Sequence, residues 1–242
     1  MSVPARILRC GEQAFSVELS DQIDETVNSQ VTALADALAA QALPGVIEMV
    51  PTYRSLLVRF DPVVCPGAEM EMHLRAACET LKADEISEGR HWKIPAVYGG
   101  EVGLDLEDLA TKTGLGRQGF IDLHSAAIYR VYMIGFSPGF AYLGGLPEVL
   151  HTPRLKTPRQ NVAEGAIGIG GKQANIMSLA GPSGWRYVAW TPVKAFDPSR
   201  ADPFLFRAGD TLQFVPISAE EGAALATRQA EGQTIVTPEA VS

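Results

Sequence analysis

The sequence contains no apolar run long enough to cross a membrane, which takes about 20 consecutive apolar residues. Residues 1–6 also lack the apolar core of a secretory signal. Cysteine is scarce: only Cys10, Cys65 and Cys78 are present, and no two of them form a CxxC pair. We therefore predict no membrane partner, free thiols and a location in the reducing cytoplasm.

Positive charge and metal ligands are sparse as well. The 20 lysines and arginines are outnumbered by 28 aspartates and glutamates, and the net charge of -8 argues against a nucleic-acid partner. The four histidines, at positions 73, 91, 124 and 151, lack HxxxH or HxH spacing, so we predict no metal site. The carboxylates are dispersed, and their spacing nominates no catalytic acid–base pair.

The 242 residues are enough for two domains, and 46% of them are hydrophobic, which suits a sizeable core. The pattern of residues 1–88 predicts an α+β domain, in which two helices cover one face of an antiparallel sheet. The predicted order is strand 6–10, strand 14–19, a helix that Ser20 or Asp21 caps and Pro44-Gly45 ends, strand 46–50, strand 55–60 and a helix from near Pro66. The predicted apolar face of the first helix comprises Ile23, Val27, Val31, Leu34 and Leu38. The charged segment 82–90 marks the domain boundary.

The pattern of residues 89–218, in which short strands alternate with glycine and proline, predicts a mainly β domain that is a barrel or a sandwich. Two short helices, split at 114–116, precede most of these strands. His124 falls in the second of these helices, where a histidine either bonds to nearby backbone or lines a site. The remaining residues, 219–242, are predicted to form one helix and a mobile tail.

The most unusual stretch is 128–147, a β-branched and aromatic strand that passes into a loop rich in glycine and proline. Such a loop either shapes a surface or plugs its own core, and its chemistry alone leaves both interpretations open. Residues 135–139 match the G-x-S-x-G pattern of a nucleophile elbow. We reject a Ser137 nucleophile because the oxyanion hole would need the N–H of the next residue, and Pro138 has none. Ser137 is instead predicted to bond to the backbone of its own loop.

Two further segments carry candidate polar groups. Residues 166–173 nearly match a phosphate-binding loop, but Gln173 stands where the magnesium-binding hydroxyl belongs. We reject that function and keep Lys172 and Gln173 as candidates for contact with a ligand. Residues 153–159 hold two arginines and one lysine on a loop that two prolines stiffen. This basic segment suits a carboxylate or a phosphate, and a solvated loop is the alternative.

Taken in order, the motifs of the chain resemble those of one family. They are Pro51-Thr52-Tyr53-Arg54-Ser55-Leu56-Leu57-Val58, Tyr98-Gly99-Gly100, His124-Ser125-Ala126, Tyr132 to Leu146, Thr157-Pro158-Arg159, Gly168 to Gln173, Gly184-Trp185 and Thr191-Pro192. From near its N-terminus to about Ile217, the chain is similar to the B-type subunit of 5-oxoprolinase, also called allophanate hydrolase subunit 1. The same family includes the kinase A inhibitor of sporulating bacteria and the first part of the carboxyltransferase domain of urea carboxylase.

The resemblance implies a small α+β N-terminal domain followed by a cyclophilin-like β-barrel domain. It also implies a heteromeric enzyme with a homologous second subunit, which corresponds to the C-type subunit of 5-oxoprolinase or to allophanate hydrolase subunit 2. A third, metal-dependent subunit acts with this pair, and the complex opens 5-oxo-L-proline to L-glutamate at the expense of ATP. We expect little or no turnover from the isolated chain, and we expect neither a metal nor biotin to be attached to it.

The resemblance and the residue chemistry together nominate a substrate site in the barrel domain. The candidates are Arg130, Phe136, Pro138, Gly139, Phe140, Arg159, Lys172, Gln173 and Asn175. An arginine would clamp a substrate carboxylate, whereas Gln173 and Asn175 would bond to the edge of an amide. Tyr53 and Arg54 are the candidates for contact with the second subunit. No catalytic residue is nominated.

Two alternative functions remain open. The sequence departs from the common family pattern around the expected pocket, for example at Asn175, so a urea- or allophanate-type carboxyltransferase or hydrolase is one alternative. The other is a non-enzymatic inhibitor of a sensor histidine kinase, held through the aromatic surface of Phe136, Phe140 and Tyr142. The polar candidates favour the enzyme, because a pure interaction module has no need for Arg159 together with Lys172, Gln173 and Asn175.

Overall fold

The structure is a computed structural model that describes residues 5–81 and 89–239. The chain forms two compact units, residues 1–88 and 89–242. Of the charged segment predicted to separate two domains, residues 82–88 lie outside the described part of the chain. Within the described residues, no helix has both the length and the apolar character that crossing a bilayer requires.

The first unit is an antiparallel four-stranded sheet with two helices packed on it, as the sequence predicts. Its elements are β1 (Arg6–Arg9), β2 (Ala14–Glu18), α1 (Glu25–Gln41), β3 (Val46–Pro51), β4 (Ser55–Phe60) and α2 (Gly67–Thr80). The strands pair in the order β1-β2-β4-β3. Alternate strand residues, such as Phe15 and Val58, are fully buried in one core with Leu34 of α1 and Leu74 of α2.

Helix α1 begins later than the sequence predicts. Asp24, rather than Ser20 or Asp21, is its N-cap, because the Asp24 carboxylate accepts the backbone N–H of Thr26 at 2.8 Å. Ile23 therefore precedes the helix and is 59% exposed. Its assignment to the apolar face of the helix is wrong.

The second unit is built around a closed barrel, which agrees with the mainly β domain predicted for this part of the chain. Its elements are β5 (His91–Tyr98), α3 (Leu106–Lys112), α4 (Gly116–Ala126), β6 (Tyr129–Ile134), β7 (Ala141–Gly144), a 3-10 helix (Glu148–Leu150), β8 (Arg159–Val162), β9 (Ala166–Gly170), β10 (Gln173–Ile176), β11 (Gly181–Ser183), β12 (Arg186–Trp190), β13 (Thr211–Pro216) and α5 (Ala219–Ala230). The barrel order is β10-β7-β6-β13-β5-β12-β9. Neighbouring strands are antiparallel except β13 and β5, which run parallel from Thr211 beside His91 to Pro216 beside Ala96.

Strand β7 lies inside the segment predicted as a loop, so the irregular loop is limited to residues 135–140. The ring of Tyr132 on β6 covers Gly144 on β7, and any side chain at Gly144 would overlap that ring. This glycine therefore serves close packing within a strand rather than a turn. The sequence analysis also missed β8 and β11, which pair as a separate two-stranded ribbon, because both are short and proline lies in or beside them.

His124 lies in the core of the barrel unit, neither bonded to nearby backbone nor placed in a surface site. The side chain is fully buried, and its Nδ1 lies 2.8 Å from the hydroxyl oxygen of Tyr98. Its ring stacks on Phe214 and Phe120, with centroid separations of 5.1 and 6.3 Å. Burial lowers the pKa of His124 to about 3, so the ring packs in its neutral form.

After α5 the chain returns to the barrel. Ile235 packs against the barrel core, and the backbone N–H of Glu239 donates to the carbonyl oxygen of His91 at 2.7 Å. Contacts therefore hold residues 231–239 of the tail that the sequence predicts to be mobile. Residues 240–242 of that tail lie outside the described part of the chain.

Candidate functional site

A second, smaller hydrophobic cluster lies on the outer face of the barrel. Strand residues alternate between faces, so Tyr142 on β7, Asn175 on β10 and Tyr187 on β12 point away from the barrel core. The buried members of this outer cluster are Phe140, Val162, Ala166, Met177, Trp185 and Tyr187. Val162 is the last residue of β8, and Trp185 lies two residues after the end of β11. The β8–β11 ribbon therefore covers this face of the barrel.

Beside the outer cluster lies a cavity of about 280 Å³, which we call the aromatic pocket. It is lined by Phe136, Phe140, Tyr142, Arg154, Pro158, Pro182, Ser183, Gly184 and Trp185. The ring centroid of Phe140 lies 4.8 Å from that of Tyr142 and 6.2 Å from that of Trp185. Aromatic rings and two prolines thus give the pocket flat, apolar and stiff walls.

The 135–140 loop holds Phe136 at the rim of the pocket in a strained conformation. The φ angle of Phe136 is +70°, a region that bulky residues rarely adopt and that costs about 1–3 kcal/mol. Its side chain is 72% exposed, and its ring centroid lies 5.3 Å from that of Phe140. Strained backbone that displays an aromatic ring to solvent indicates a functional role for this rim.

Two contacts hold the 135–140 loop against the rest of the barrel unit. The prediction that the side chain of Ser137 bonds to the backbone of its own loop is wrong. Its Oγ lies 3.1 Å from Oγ of the buried Ser178. Gly139 has a φ of +74°, and its backbone passes so close to Phe196 that only glycine fits there. The loop that carries Phe136 is therefore fixed at both Ser137 and Gly139.

Arg154 is the cation of the aromatic pocket. Its Cζ lies 4.7 Å from the ring centroid of Trp185, in cation–π contact. Burial raises the pKa of Tyr142, and the positive charge of Arg154 opposes this rise. Arg154, Tyr142 and Ser183, together with the indole N–H of Trp185, are the polar groups of the lining.

Arg159, the predicted carboxylate clamp, is already paired with a carboxylate. Its two terminal nitrogens donate to the two carboxylate oxygens of Asp105, each at 2.8 Å. The hydrogen bond with Asp105 raises the pKa of Arg159. Asp105 is 5% exposed and also accepts the backbone N–H of Tyr187 at 2.7 Å. Arg159 thus ties β8 to β12 beside the pocket, and its charge is neutralised there.

Three other candidates lie on or next to β10, outside the lining of the pocket. Asn175 is fully buried, and neither polar atom of its amide has a close hydrogen-bond partner among the described residues. The amide is still near enough to Tyr187 to oppose the rise in the pKa of this phenol that burial causes. Gln173 is half-buried, and Lys172 is exposed in the turn before it.

Arg130 lies away from the aromatic pocket. It occupies β6, where it pairs with Gly144 and Thr211. Its side chain is buried, and Nη1 donates to the carbonyl oxygen of Gly209 at 3.4 Å. The structure therefore does not bring Arg130 together with the other predicted site residues.

Tyr53 and Arg54, the candidates for contact with a second subunit, belong to the first unit. Nη1 of Arg54 donates to the carbonyl oxygen of Ser20 at 2.6 Å, and 37% of its side chain is exposed. Their contact with a partner stays a prediction.

The chemistry that the pocket offers is binding rather than catalysis. At neutral pH its side chains supply one cation, two hydroxyls and the indole N–H of Trp185, and its lining contains no carboxylate, imidazole or thiol. A complete acid–base or nucleophile–base pair is thus absent from these lining residues. Across residues 5–81 and 89–239, no three histidine, cysteine, aspartate or glutamate side chains come together as metal ligands.

The sequence matches the model of the family described as "Carboxyltransferase domain, subdomain C and D" over residues 5–206. The chain belongs to this family. Two relatives are named as the B subunit of 5-oxoprolinase. The Bacillus subtilis protein is 36% identical over 236 residues, which cover 91% of this chain and 96% of that protein. The protein from Escherichia coli O157:H7 is 38% identical over 212 residues, which cover 88% of this chain and 96% of that protein.

Solved structures share the fold. TTHA0988 superposes with a TM-score of 0.76 at 32% identity, over 86% of this chain and 40% of its own. The urea carboxylase of Kluyveromyces lactis has a TM-score of 0.79 over 99% of this chain and 25% of its own, and its 18% identity supports the fold alone. The closed barrel agrees with the cyclophilin-like fold that the motifs imply. This chain spans only part of the length of both structures.

The sequence predicts part of the pocket and not the rest. Phe136 and Phe140 line it, and Pro138 and Gly139 belong to its loop, whereas Arg154, Ser183 and Trp185 were not nominated as site residues. A signal for two of them was present, because Arg154 lies in the basic segment and Trp185 in a family motif. The sequence does not say which arginine of the basic segment is paired, because the partner comes from another element.

Replacing Gly139 by alanine is expected to lower the free energy of unfolding of the barrel unit by about 2–4 kcal/mol. An added Cβ would lie 2.7 Å from Cβ of Phe196, and the φ of +74° is itself unfavourable for alanine. Gly171→Ala is the control, since Gly171 has a φ of +65° but open space around it, and we expect a loss of about 1 kcal/mol. Urea unfolding followed by tryptophan fluorescence measures both. Equal losses would contradict the close approach at Gly139.

Proposed function

We propose that the chain is one subunit of a heteromeric ATP-dependent amide hydrolase that opens the lactam 5-oxo-L-proline to L-glutamate. The observation that carries this proposal is the identity of 36% and 38%, over most of both chains, to two proteins named as the B subunit of 5-oxoprolinase. The aromatic pocket supports it, because flat walls with one cation and two hydroxyls suit a small polar ring.

In this proposal the chain acts with a homologous second subunit and a third, metal-dependent subunit. The lining of the pocket lacks a complete catalytic pair, so the missing groups come from the other subunits and the isolated chain turns over little or no substrate. TTHA0988 supports the need for a companion, because a region 32% identical to this chain makes up 40% of that longer chain.

ATP is proposed to bind elsewhere in the complex. The cavity of about 280 Å³ lies just below the range of about 300–1,000 Å³ that drug-sized ligands occupy, and ATP is at the large end of such ligands. One arginine also provides little positive charge for a triphosphate. A cytoplasmic location completes the proposal, and the free thiols of Cys10, Cys65 and Cys78 suit a reducing compartment.

A non-enzymatic inhibitor of a sensor histidine kinase is the second candidate. One observation favours it: the exposed ring of Phe136 stands on strained backbone at the rim of an apolar pocket, as a contact residue for another protein would. Phe136→Ala would then abolish capture of the kinase.

The deciding experiment is affinity purification of the tagged chain from its native cells, followed by an assay of the purified material for glutamate formation from 5-oxo-L-proline. We expect a homologous partner to co-purify and glutamate to form only when ATP is added. The same material without ATP is the control. A stable partner with no glutamate would redirect the proposal to urea- or allophanate-type substrates, and a kinase recovered alone would support the inhibitor.

A further inference from the structure

We infer that the aromatic pocket binds a small cyclic carboxylate that carries a ring carbonyl, and that Arg154, rather than Arg159, binds its carboxylate. The naming of that ligand as 5-oxo-L-proline rests on the proposed function. The class of ligand follows from the pocket itself.

Arg154 is a cation with no counter-ion in the pocket. No carboxylate belongs to the pocket lining, and no described acidic side chain forms an ion pair with Arg154. Its guanidinium carbon lies 4.7 Å from the ring centroid of Trp185. No acceptor for its side-chain N–H groups is found among the described residues, so these donors are available to a ligand. Two parallel hydrogen bonds from the edge of a guanidinium are the usual way in which arginine binds a carboxylate.

The stack of Arg154 on Trp185 is built into the fold. Both side chains lie over Gly170, where an added Cβ would be 2.8 Å from the Trp185 ring and 3.2 Å from Cγ of Arg154. A glycine at this point of β9 makes room for the stack. Arg154 is therefore positioned by a strand of the barrel, although its own segment is a surface loop.

Arg159 offers no comparable site. Both of its terminal nitrogens donate to Asp105, and a ligand carboxylate placed there would meet the negative charge of that aspartate. Like charges at such distances repel, and the repulsion is strong where water is excluded. The two arginines of one basic segment thus have different roles: Arg159 fixes the ribbon, and Arg154 is available to an anion.

Ser183 supplies the second polar group of the site. It is 8% exposed, and its Oγ accepts the hydroxyl proton of Tyr187 at 2.7 Å and the backbone N–H of Trp185 at 3.3 Å. With both lone pairs engaged, the hydroxyl of Ser183 has only its own proton left to offer. No acceptor for that proton is found among the described residues, so it is available to a ligand carbonyl in the pocket.

The walls and the size of the pocket define the remainder of the ligand. Phe140, Tyr142 and Trp185 present aromatic surfaces that suit the CH₂ groups of a small ring. The cavity of about 280 Å³ accepts a five- or six-membered ring and is small for a nucleotide. A carboxylate at Arg154 and a carbonyl at Ser183 then fix the orientation of that ring.

The test is an NMR titration of the full-length chain with three ligands: 5-oxo-L-proline, pyrrolidin-2-one, which lacks the carboxylate, and cyclopentanecarboxylate, which lacks the lactam. The indole N–H signal of Trp185 is expected to shift, while those of Trp92 and Trp190 stay unchanged, because those two indoles donate to Asp210 and Glu164 within the protein. We expect 5-oxo-L-proline to bind at least about tenfold more tightly than pyrrolidin-2-one.

Arg154→Gln is expected to weaken binding of 5-oxo-L-proline at least about tenfold and to leave the affinity for pyrrolidin-2-one unchanged. Ser183→Ala is expected to weaken both lactams about threefold or more, with no effect on cyclopentanecarboxylate. Arg75→Gln is the matched control, because it removes one exposed positive charge from α2, where Arg75 pairs with Glu71 on the surface. Thermal unfolding of each variant checks that the barrel is intact.

The inference is overturned if Arg154→Gln binds 5-oxo-L-proline as tightly as the unmodified chain does, or if no ligand binds to either the chain or its purified complex. Its failure is distinguishable from failure of the proposed function. A complex that forms glutamate at an unchanged KM in Arg154→Gln supports the function and removes this site. Arg154-dependent binding of carboxylates to a complex that forms no glutamate supports the site and removes the function.

Discussion

Replacing Asp105 by alanine is expected to lower the free energy of unfolding of the barrel unit by about 3 kcal/mol, at the low end of the range for breaking buried ion pairs. Asp105 is 5% exposed and accepts hydrogen bonds from both terminal nitrogens of Arg159 and from the backbone N–H of Tyr187. Without the carboxylate, the half-buried charge of Arg159 loses its counter-ion and keeps a weak hydrogen bond to the carbonyl oxygen of Trp185 at 3.4 Å. Because the side chain of Arg159 is 26% exposed, water solvates its charge in the variant and offsets part of the lost stability.

The matched control for Asp105 is Asp108→Ala, which removes a carboxylate that is 49% exposed and pairs with Lys112 and Arg186. A loss below about 1 kcal/mol is expected for this surface network. Urea unfolding followed by tryptophan fluorescence reports on the barrel unit by itself, because all three tryptophans lie beyond residue 88. Similar midpoints for the two variants would show that the Asp105–Arg159 pair does not hold the ribbon.

Acid is expected to destabilise the barrel unit through His124. The folded state keeps this buried ring neutral until its pKa of about 3, whereas the unfolded chain takes up the proton below the ordinary value of 6.5. Between these values the unfolded state binds more protons, so stability is complete above pH 6.5 and is lost as the pH falls towards 3. The loss amounts to about 2 kcal/mol at pH 5 and about 4 kcal/mol at pH 3.

The His124 prediction is measured as the difference in the free energy of unfolding between pH 7.5 and pH 5.0, a range in which most carboxylates stay ionised. His124→Gln keeps a hydrogen-bond partner for Tyr98 and removes the titration, so we expect this variant to lose most of the pH dependence. His73→Gln, on the surface of α2, should keep it. Retention of the full pH dependence in His124→Gln would assign the acid sensitivity to other groups.

The sequence predicted the first unit well because local patterns decide its elements. Leu56, Val58 and Phe60 alternate with more exposed residues, and β4 has the predicted bounds of 55–60. Pro66 likewise predicted the start of α2, since proline suits the beginning of a helix and offers no N–H to pair there. Where the pattern was less regular, at Ile23, the predicted helix was too long.

The sequence did not predict features that depend on distant contacts. Asp105 and Arg159 are 54 residues apart, and no spacing rule relates them. Arg154 and Arg159 occupy one short basic segment, yet only the fold distinguishes the paired arginine from the one stacked on Trp185. The strand β7 was missed for a similar reason, because the contact of Gly144 with Tyr132 converts a turn-forming residue into a packing residue.

The parallel pairing of β5 with β13 has a consequence for the synthesis of the chain on the ribosome. Thr211 reaches its partner His91 across a sequence separation of 120 residues. At translation rates of about 5–20 residues per second, on the order of ten seconds pass between the synthesis of β5 and that of β13. During this time the edge of β5 that pairs with β13 has no partner strand. An unpaired edge is a template for aggregation, so the barrel depends on protection during this delay. The first unit ends at residue 88, so all of its strands are synthesised before the barrel unit begins, and its folding does not depend on this delay.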